Sequence, residues 1–221
     1  RVQLAQAEAI MRKRINKKHM DNGVTIINPE NTYIEANVQI GKDTIIEPGV
    51  MLRGNTEIGD ECIIGMNSSI TNSKIGNFTE VKISTIIDSA VGENTTVGPY
   101  AYLRPNSNVG NHVKIGDFVE VKNANIGDYS KASHLSYIGD ADVGKDVNIG
   151  CGVVFVNYDG KNKFKSTVKD GAFIGSNSNL VAPVTVEEKG YIATGSTITN
   201  DVPQGALAVA RERQVIKEGW V

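Results

Sequence analysis

The sequence predicts an all-β solenoid, in which short strands stack as successive coils along one axis. An aliphatic residue, usually Ile or Val and often followed by Gly, returns at six-residue intervals along most of the chain. That period does not fit a helical face, which would return at three or four residues, but it fits a short strand followed by a corner. Aromatic residues are only 6% of the composition, which suits stacked aliphatic rungs. Together these observations indicate a β-helix.

The repeat predicts how each coil is built. We expect the aliphatic residue to point inward and to stack on its equivalent in the next coil, with three hexads closing a triangular coil of parallel strands. The Gly, Asn or Asp that follows should allow a tight corner, and a small residue four places on, such as Thr44 after Ile40, fits a second inward position. The repeat occupies Ile40-Gly41, Ile58-Gly59, Ile64-Gly65, Ile75-Gly76, Val91-Gly92, Val97-Gly98, Val109-Gly110, Ile115-Gly116, Ile126-Gly127, Ile149-Gly150 and Ile174-Gly175, and also Ile46, Leu52, Ile70, Val81, Ile87, Leu103, Val121, Leu180, Val186, Ile192 and Ile198.

The repeat is interrupted in the second half of the chain. A step loses one residue near 123–125 and again near 141–142, and the longest interruption runs over residues 155–172. This interruption contains the polar string NYDGKNK at 157–163. A loop thrown out of a regular coil is a candidate functional element, although a tolerated insertion would have the same appearance.

The two ends of the chain differ from the repeat. Residues 1–22 are predicted to form a helical arm, because they are rich in helix formers and place Val2, Leu4, Ala7, Ile10 and Met11 on one face. The sequence Asp21-Asn22-Gly23 should end this helix. Residues 23–210 would form the solenoid, and residues 211–221 a short charged tail.

Composition argues against several classes of function. A formal net charge of −2 gives no electrostatic case for binding nucleic acid or a membrane surface. No apolar run is long enough to span a bilayer and no signal peptide is visible, so we expect a cytoplasmic protein. Cys62 and Cys151 lie far apart without a CxxC pattern, which predicts two free thiols.

The chain has three histidines. His19 lies at the basic end of the arm and is expected to be solvated, and His112 is expected to be exposed at a corner. His134 lies in a polar cluster at 131–137, where a general base and a structural histidine are equally compatible with the sequence. The histidines and cysteines have no close ligand spacing, so we predict no metal site.

Basic and polar residues gather in the middle and late coils. Each could be a solvated corner when taken alone. Together they could line a groove for an anionic, hydroxyl-rich ligand. The group comprises Arg104, Lys122, Tyr137, Asn148, Asn157, Tyr158 and Lys163.

Longer strings of sequence carry a more specific resemblance. They are LRP at 103–105, GDFVEVK at 116–122, SKASHLSYIGDA at 130–141, VNIG at 147–150, NYDGKNKFK at 157–165, VAPVT at 181–185 and KEGW at 217–220. In order and spacing, these strings resemble the acetyltransferase half of the bacterial bifunctional N-acetylglucosamine-1-phosphate uridyltransferase/glucosamine-1-phosphate N-acetyltransferase family. The resemblance covers nearly the whole chain.

The resemblance implies a fold and a reaction. The fold would be a left-handed parallel β-helix assembled as a homotrimer, with residues 1–22 as the linker arm. The reaction would transfer acetyl from acetyl-CoA to the amine of glucosamine 1-phosphate, and the product would feed UDP-N-acetylglucosamine and cell-wall synthesis. The nucleotide-binding sequence of the family's uridyltransferase half does not occur in this chain.

The resemblance also implies roles for individual residues. His134 would be the general base that removes the proton from the sugar amine. The substrate-binding residues would be Arg104 and Lys122 at the phosphate, Tyr137 and Asn148 at the sugar, and Lys163 at an anionic group. The residues facing acetyl-CoA would be Cys151, Asn157, Tyr158, Ser176, Thr194 and Arg211. Cys151 and Thr194 stand where the family pattern has small alanines. Contacts made through the backbone would tolerate this change, whereas contacts made through the side chains would not, and no acyl-cysteine is implied.

Two alternatives remain at this stage. The chain could be another hexapeptide acyltransferase that acts on a serine, a nucleotide-sugar or a lipid precursor. It could also be a non-enzymatic solenoid that serves as a scaffold or binding surface. A scaffold would place no special demand on His134.

Overall fold

The computed structural model of the protein describes residues 1–220. One α-helix precedes a long series of short strands, and a 3₁₀ turn at Pro29–Asn31 lies in the first coil. The elements are α1 (Val2–Asp21), β1 (Thr25–Ile26), β2 (Tyr33–Ile34), β3 (Gln39–Ile40), β4 (Ile45–Ile46), β5 (Met51–Arg53), β6 (Glu57–Ile58), β7 (Ile63–Ile64), β8 (Ser69–Thr71), β9 (Lys74–Ile75), β10 (Glu80–Val81), β11 (Thr85–Ile87), β12 (Ala90–Val91), β13 (Thr96–Val97), β14 (Tyr102–Leu103), β15 (Asn108–Val109), β16 (Lys114–Asp117), β17 (Glu120–Ile126), β18 (Lys131–His134), β19 (Tyr137–Val143), β20 (Asn148–Ile149), β21 (Val154–Val156), β22 (Ser166–Val168), β23 (Phe173–Ile174), β24 (Asn179–Val181), β25 (Val184–Val186), β26 (Tyr191–Ile192), β27 (Thr197–Ile198) and β28 (Leu207–Ala208).

The strands form three parallel faces, as the six-residue period predicts. Face A is the ladder β1-β4-β7-β10-β13-β16-β18-β20-β23-β26-β28. Face B runs from β2 through β5, β8, β11, β14, β17, β19, β21 and β24 to β27, and face C runs from β3 through β6, β9, β12, β15, β17, β19 and β22 to β25. Strands β17 and β19 belong to both B and C, because each continues across the corner between them. The triangular coil and its parallel pairing are therefore confirmed.

The interior holds the two kinds of inward residue that the sequence predicts. Ile46, Leu52 and Ile64 are completely buried, and they stack with equivalent residues of other coils. Thr44, the small residue four places after Ile40, is also completely buried. Its Oγ1 donates to the carbonyl oxygen of Gly59 at 2.8 Å and accepts from the amide of Cys62 at 3.0 Å. A buried hydroxyl needs such partners, and here they tie one coil to the next.

Most corner glycines have a different role from the one the sequence suggests. Gly98 (φ 99°) itself adopts left-handed backbone, as predicted, but at the other repeat glycines this backbone falls two places later, for example at Asp43 (φ 57°) and Asn94 (φ 53°), where Asp and Asn tolerate it. The glycine instead lets neighbouring coils approach: a Cβ added to Gly76 would lie 2.7 Å from the carbonyl carbon of Gly92. Substitution at such a glycine would push two coils apart.

The register differs from the regular repeat at more positions than the sequence indicates. Ile86 is completely buried, whereas Ile87, the residue assigned to the inward position from the sequence, is only half-buried. The assignment of Ile87 is wrong because the steps on either side of Ile86, from Val81 and to Val91, are one residue short of a hexad. Ile83 (φ 39°) and Asp88 (φ 44°) adopt left-handed backbone, which lets the shorter segments still turn.

The ejected loop is shorter than predicted. Strand β21 ends at Val156, and β22 rejoins face C at Ser166, opposite Ala141. Only residues 157–165 therefore leave the coil. The loop closes on itself through an antiparallel bridge between Tyr158 and Lys163. The Asp159 carboxylate accepts from the amides of Lys161 and Asn162 at 2.7 and 2.6 Å, which stabilises the turn at its tip.

The arm forms the helix α1, but its orientation contradicts the prediction for His19. His19 is only 6% exposed, against first-coil residues rather than solvent, and burial lowers its pKa. Asn16 is completely buried nearby, and its Nδ2 donates to the carbonyl oxygens of Pro29 (2.8 Å) and Thr32 (3.1 Å). The apolar residues Leu4 and Ile10 remain exposed. Backbone carbonyls of the first coil attract a polar helical face, which the apolar pattern of α1 does not reveal.

Two smaller expectations are confirmed. Cys62 and Cys151 are free; Cys62 is buried, which raises the pKa of its thiol, and Cys151 is half-buried. His112 is exposed, and its ring stacks on that of Tyr129 with centroids 4.7 Å apart. Helix α1 is not apolar enough to cross a membrane, and the described part of the chain holds no other long helix.

Candidate active site

His134 ends strand β18 at a corner of the solenoid and faces an acidic partner on the preceding coil. The register of β16 and β18 places Asp117 opposite His134. Their side chains meet with Nδ1 of His134 2.6 Å from Oδ1 of Asp117. The hydrogen bond from His134 lowers the pKa of Asp117. The imidazole remains 56% exposed, so its other edge is accessible to a ligand.

The column that contains Asp117 and His134 continues into the predicted acetyl-CoA residues. Ile149, Ile174 and Ile192 pair across successive strands of face A. Two residues beyond each of them stand, in order, Cys151, Ser176 and Thr194. His134 stands two residues beyond Ala132, which pairs with Ile149. The structure therefore brings His134, Cys151, Ser176 and Thr194 into one line along the corner.

The backbone of this column is fixed by hydrogen bonds between coils. The carbonyl oxygen of Cys151 accepts from the amide of Asn177 at 2.7 Å, and that of Ser176 accepts from the amide of Gly195 at 2.9 Å. Arg211 joins the column from the tail, because its Nη1 donates to the carbonyl oxygen of Thr194 at 3.0 Å. Main-chain groups at the corner thus have a rigid spacing.

The predicted phosphate ligands lie on face B. Arg104 and Lys122 follow the paired core residues Leu103 and Val121 on neighbouring strands, so both project from the same row. Arg104 pairs with Glu120, with Nη1 2.8 Å from Oε1, and this hydrogen bond raises the pKa of Arg104. The ejected loop brings Lys163 close to Lys122, and the proximity of the Lys122 ammonium lowers the pKa of Lys163.

Asp140 connects these cations and was not singled out from the sequence. It is 8% exposed and lies 3.6 Å from Nζ of Lys122. It accepts from Nδ2 of Asn123 at 2.6 Å and also from Nδ2 of Asn157. Burial raises the pKa of Asp140, but the two amide donors and the charge of Lys122 outweigh it, and the net pKa is lowered. The available signal was its position beside the short step at 141–142.

Tyr137 lies between the His134 corner and the cations. Its hydroxyl is 3.4 Å from Nδ2 of Asn157. The ring packs over Gly139, where an added Cβ would lie 2.8 Å from Cε1 of Tyr137. Gly139 was also missed from the sequence, since nothing in the repeat distinguishes a glycine needed by a ring from one needed by a neighbouring coil. Its role is to leave room for the tyrosine.

Two predicted residues stand apart from both groups. Asn148 lies on face A, between Lys131 and Phe173 of the neighbouring strands, whereas Tyr137 and Lys122 lie on face B. Tyr158 is 56% exposed on the ejected loop, and its hydroxyl donates to the carbonyl oxygen of Gly160 at 2.7 Å. Over residues 1–220, no three His, Cys, Asp or Glu side chains converge as a metal site would require.

Comparison with known proteins agrees with this architecture. The family model of the bacterial transferase hexapeptide (six repeats) matches residues 37–72 and 88–123. The family model of the hexapeptide repeat of succinyl-transferase matches residues 167–200. Bifunctional protein GlmU of Clostridioides difficile (strain 630) is 80% identical over 221 residues, which are 100% of this chain and 48% of that protein. Bifunctional protein GlmU of Alkaliphilus metalliredigens (strain QYMF) is 63% identical over the same shares of the two chains.

The chain is therefore similar to GlmU proteins along its whole length. It spans about half the length of the GlmU proteins that it matches, 48% in both cases. Among solved structures, the Arabidopsis UDP-N-acetylglucosamine acyltransferase matches with a TM-score of 0.51 at 15% identity, over 85% of this chain and 69% of that one. That likeness concerns the fold alone, and it confirms the left-handed parallel β-helix.

Proposed function

We propose that this chain transfers acetyl from acetyl-CoA to the amine of glucosamine 1-phosphate, giving N-acetylglucosamine 1-phosphate for UDP-N-acetylglucosamine and cell-wall synthesis. The observation that carries the proposal is the corner column of Asp117, His134, Cys151, Ser176 and Thr194. Tyr137 comes three residues after His134 in the sequence, and it lies on face B with the cations Arg104 and Lys122. A base, an acyl-donor row and a phosphate site are the three parts that this reaction requires.

His134 would act as the general base. An ammonium group has no lone pair, so the sugar reacts as the neutral amine, and its nitrogen must lose one proton as it attacks the thioester carbonyl. When Nδ1 carries a proton and donates a hydrogen bond to Asp117, the lone pair of Nε2 is free to accept the proton of the sugar amine. A C–N bond then forms, the C–S bond breaks, and the leaving coenzyme A thiolate takes up a proton from the imidazolium.

Arg104, Lys122 and Lys163 would bind the phosphate of the sugar. The proximity of Lys122 lowers the pKa of Lys163, because two like charges repel one another. A phosphate between these ammonium groups would remove that repulsion and favour the protonated form of both. Tyr137 and Asn148 would hold the sugar hydroxyls. Lys122 also forms an ion pair with Asp140, which orients its ammonium group.

Acetyl-CoA would lie along the corner column and the ejected loop. Ser176 and Arg211 have polar side chains for it, and Asn157 and Tyr158 approach from the loop. Cys151 and Thr194 would contribute main-chain groups, which a change of side chain leaves in place. The side chain of Cys151 would then take no part in the chemistry.

The active assembly would be a homotrimer in the cytoplasm, without nucleic acid or membrane partners. The position of Asn148 supports this proposal, since it lies on a different face from Tyr137. A site placed where two copies meet would use both faces at once. Residues 23–210 would carry the activity, with residues 1–22 as linker arm and residues 211–221 as a tail that supplies Arg211.

The deciding experiment is an acetyl-CoA turnover assay on the purified chain. Release of free coenzyme A thiol is followed with glucosamine 1-phosphate as acceptor, beside arms with serine, a nucleotide-sugar and no acceptor. Among these acceptors, we expect turnover only with glucosamine 1-phosphate, and we expect a product that carries the acetyl group on nitrogen. Turnover with another acceptor would replace the substrate, and no turnover with any acceptor in a folded, trimeric protein would favour a scaffold.

A further inference from the structure

We propose that Asp117 is a positioning residue, which fixes the tautomer and orientation of the His134 imidazole. Asp117 does not reach the reacting atoms in this proposal; it acts through His134. The inference rests on the proposed function for its effect on turnover, but its effect on the ring can be measured without any substrate.

The geometry of the pair is specific. The two residues are paired by strand register, and the Oδ1–Nδ1 distance is 2.6 Å. This length is typical of a short hydrogen bond to a charged group rather than a solvent-separated pair. Because Nδ1 is occupied on the side of the preceding coil, Nε2 is the nitrogen that points away from Asp117.

The surrounding charges leave Asp117 as the carboxylate in contact with the ring. Lys114 lies on the same strand as Asp117, and its charge also helps to lower the pKa of Asp117. Lys131 lies on the strand of His134, opposite Lys114. Glu120, three residues after Asp117, is held by Arg104. The following coil presents the thiol of Cys151 at the equivalent position.

His112 provides an internal comparison. Like His134 it is an exposed corner histidine. Its ring stacks on Tyr129, with an interplanar angle of 6°, and that contact constrains the plane of the ring without specifying which nitrogen carries the proton. A carboxylate on Nδ1 does specify it, because only the Nδ1–H form can donate. The two histidines therefore differ in the property that a general base needs.

Two substitutions separate the effects of position and charge. In Asp117→Asn, the amide oxygen can still accept from Nδ1, but the negative charge that favours an imidazolium is lost. In Asp117→Ala, both the acceptor and the charge are lost. Asp146→Asn is the control, because Asp146 is an exposed corner carboxylate in left-handed backbone (φ 54°), where Asn is tolerated.

The first measurement is the nitrogen NMR spectrum of His134 near neutral to alkaline pH, with His112 as reference. We expect the Nδ1–H tautomer in the wild-type protein and in Asp146→Asn. In Asp117→Ala we expect the Nε2–H form that free imidazole side chains prefer. The His112 signals should be the same in all variants. An unchanged tautomer at His134 in Asp117→Ala would overturn the proposal, whether or not the chain turns over acetyl-CoA.

The second measurement is the pH–rate profile with acetyl-CoA and glucosamine 1-phosphate. Removal of a general base costs about 10²–10⁴-fold in rate, and a residue that only positions the base should cost less. We expect kcat to fall about 10–100-fold in Asp117→Ala, with both KM values nearly unchanged. In Asp117→Asn the loss of kcat should be smaller, because the amide oxygen can still accept from Nδ1.

The outcomes separate the two proposals. If the tautomer of His134 changes in Asp117→Ala but the wild-type protein does not turn over acetyl-CoA, the positioning role is retained and the proposed reaction is rejected. A raised KM with unchanged kcat in both variants would make Asp117 a substrate contact and reject positioning. Loss of kcat in Asp146→Asn as well would indicate a general effect on the corners, and would also count against Asp117.

Discussion

The early coils, residues 25–103, and the late coils, residues 104–208, are built on the same core but differ in what their outward polar residues bind. Leu52 in the early coils and Ile138 in the late coils are both completely buried. In the early coils, corner side chains satisfy backbone: Oδ1 of Asp60 accepts from the amide of Lys42 at 2.7 Å, and Oδ1 of Asn77 accepts from the amide of Asp60 at 2.9 Å. These side chains are therefore occupied by hydrogen bonds that hold one coil on the next.

In the late coils several equivalent residues bind other side chains instead. Asp117 faces His134, and Asp140 faces Asn123, Asn157 and Lys122. The difference shows that the inward repeat supports the coil without specifying chemistry. Function depends on outward positions that are not required to satisfy the backbone. Asp117 and His134 lie where β16 and β18 end, and Asn123 and Asp140 lie where β17 and β19 run across a corner.

The largest effect should come from the base at the late corner. We expect His134→Ala to lower the turnover of acetyl-CoA with glucosamine 1-phosphate about 10²–10⁴-fold, with ligand affinity and unfolding nearly unchanged. The measurement is kcat by thiol release, beside ligand titration. His112→Ala is the control, because it removes an exposed corner histidine that stacks on Tyr129. Equal turnover in the two variants would remove His134 from the mechanism.

The shared core predicts equal losses of stability in the two regions. Leu52→Ala and Ile138→Ala should each lower the free energy of unfolding by about 2–5 kcal/mol, because each leaves a cavity in a closely packed interior. Urea unfolding followed by circular dichroism measures the loss. The two variants should differ in activity, since Ile138 adjoins Tyr137 and Gly139 whereas Leu52 is several coils away. A folded Leu52→Ala protein with greatly reduced kcat would contradict the division of roles.

The sequence predicts the core far better than it predicts the site. Buried aliphatic residues and small hydroxyl residues repeat at fixed spacing, so their inward direction follows from the period alone. Ile86 escaped this logic because its neighbouring steps are short, and His19 escaped it because it lies in α1, outside the repeat. Asp117 and Asp140 act on residues 17 positions away in sequence. Only the number of residues per coil brings such pairs together, and the short steps change that number locally.

The phosphate residues allow a closer comparison of the two regions. Arg53 and Arg104 each follow a buried leucine and project from face B. We expect Arg104→Ala to weaken binding of glucosamine 1-phosphate by about 1.5–3 kcal/mol, the cost of a charge-assisted contact, while Arg53→Ala leaves it unchanged. Calorimetric titration with the sugar phosphate and with acetyl-CoA is the measurement. Equal weakening for both ligands would indicate misfolding, and no weakening would make Arg104 a solvated residue.

The smallest effect should appear in the acid stability of the late coils. The pKa of Asp140 is lowered because its amide donors and Lys122 outweigh its burial. A carboxyl group with a depressed pKa stabilises the fold above its unfolded pKa, and this contribution is lost as the pH falls through its folded pKa. We expect Asp140→Asn to lower the free energy of unfolding by about 1 kcal/mol at pH 7, and the difference from wild type to shrink as the pH falls below the ordinary carboxyl range. Urea unfolding at several pH values measures this, with Asp43→Asn at an exposed early corner as the control that should show no such change. If the difference in free energy of unfolding between Asp140→Asn and the wild type stays constant with pH, Asp140 contributes packing rather than charge. The late coils would then hold Lys122 by packing alone.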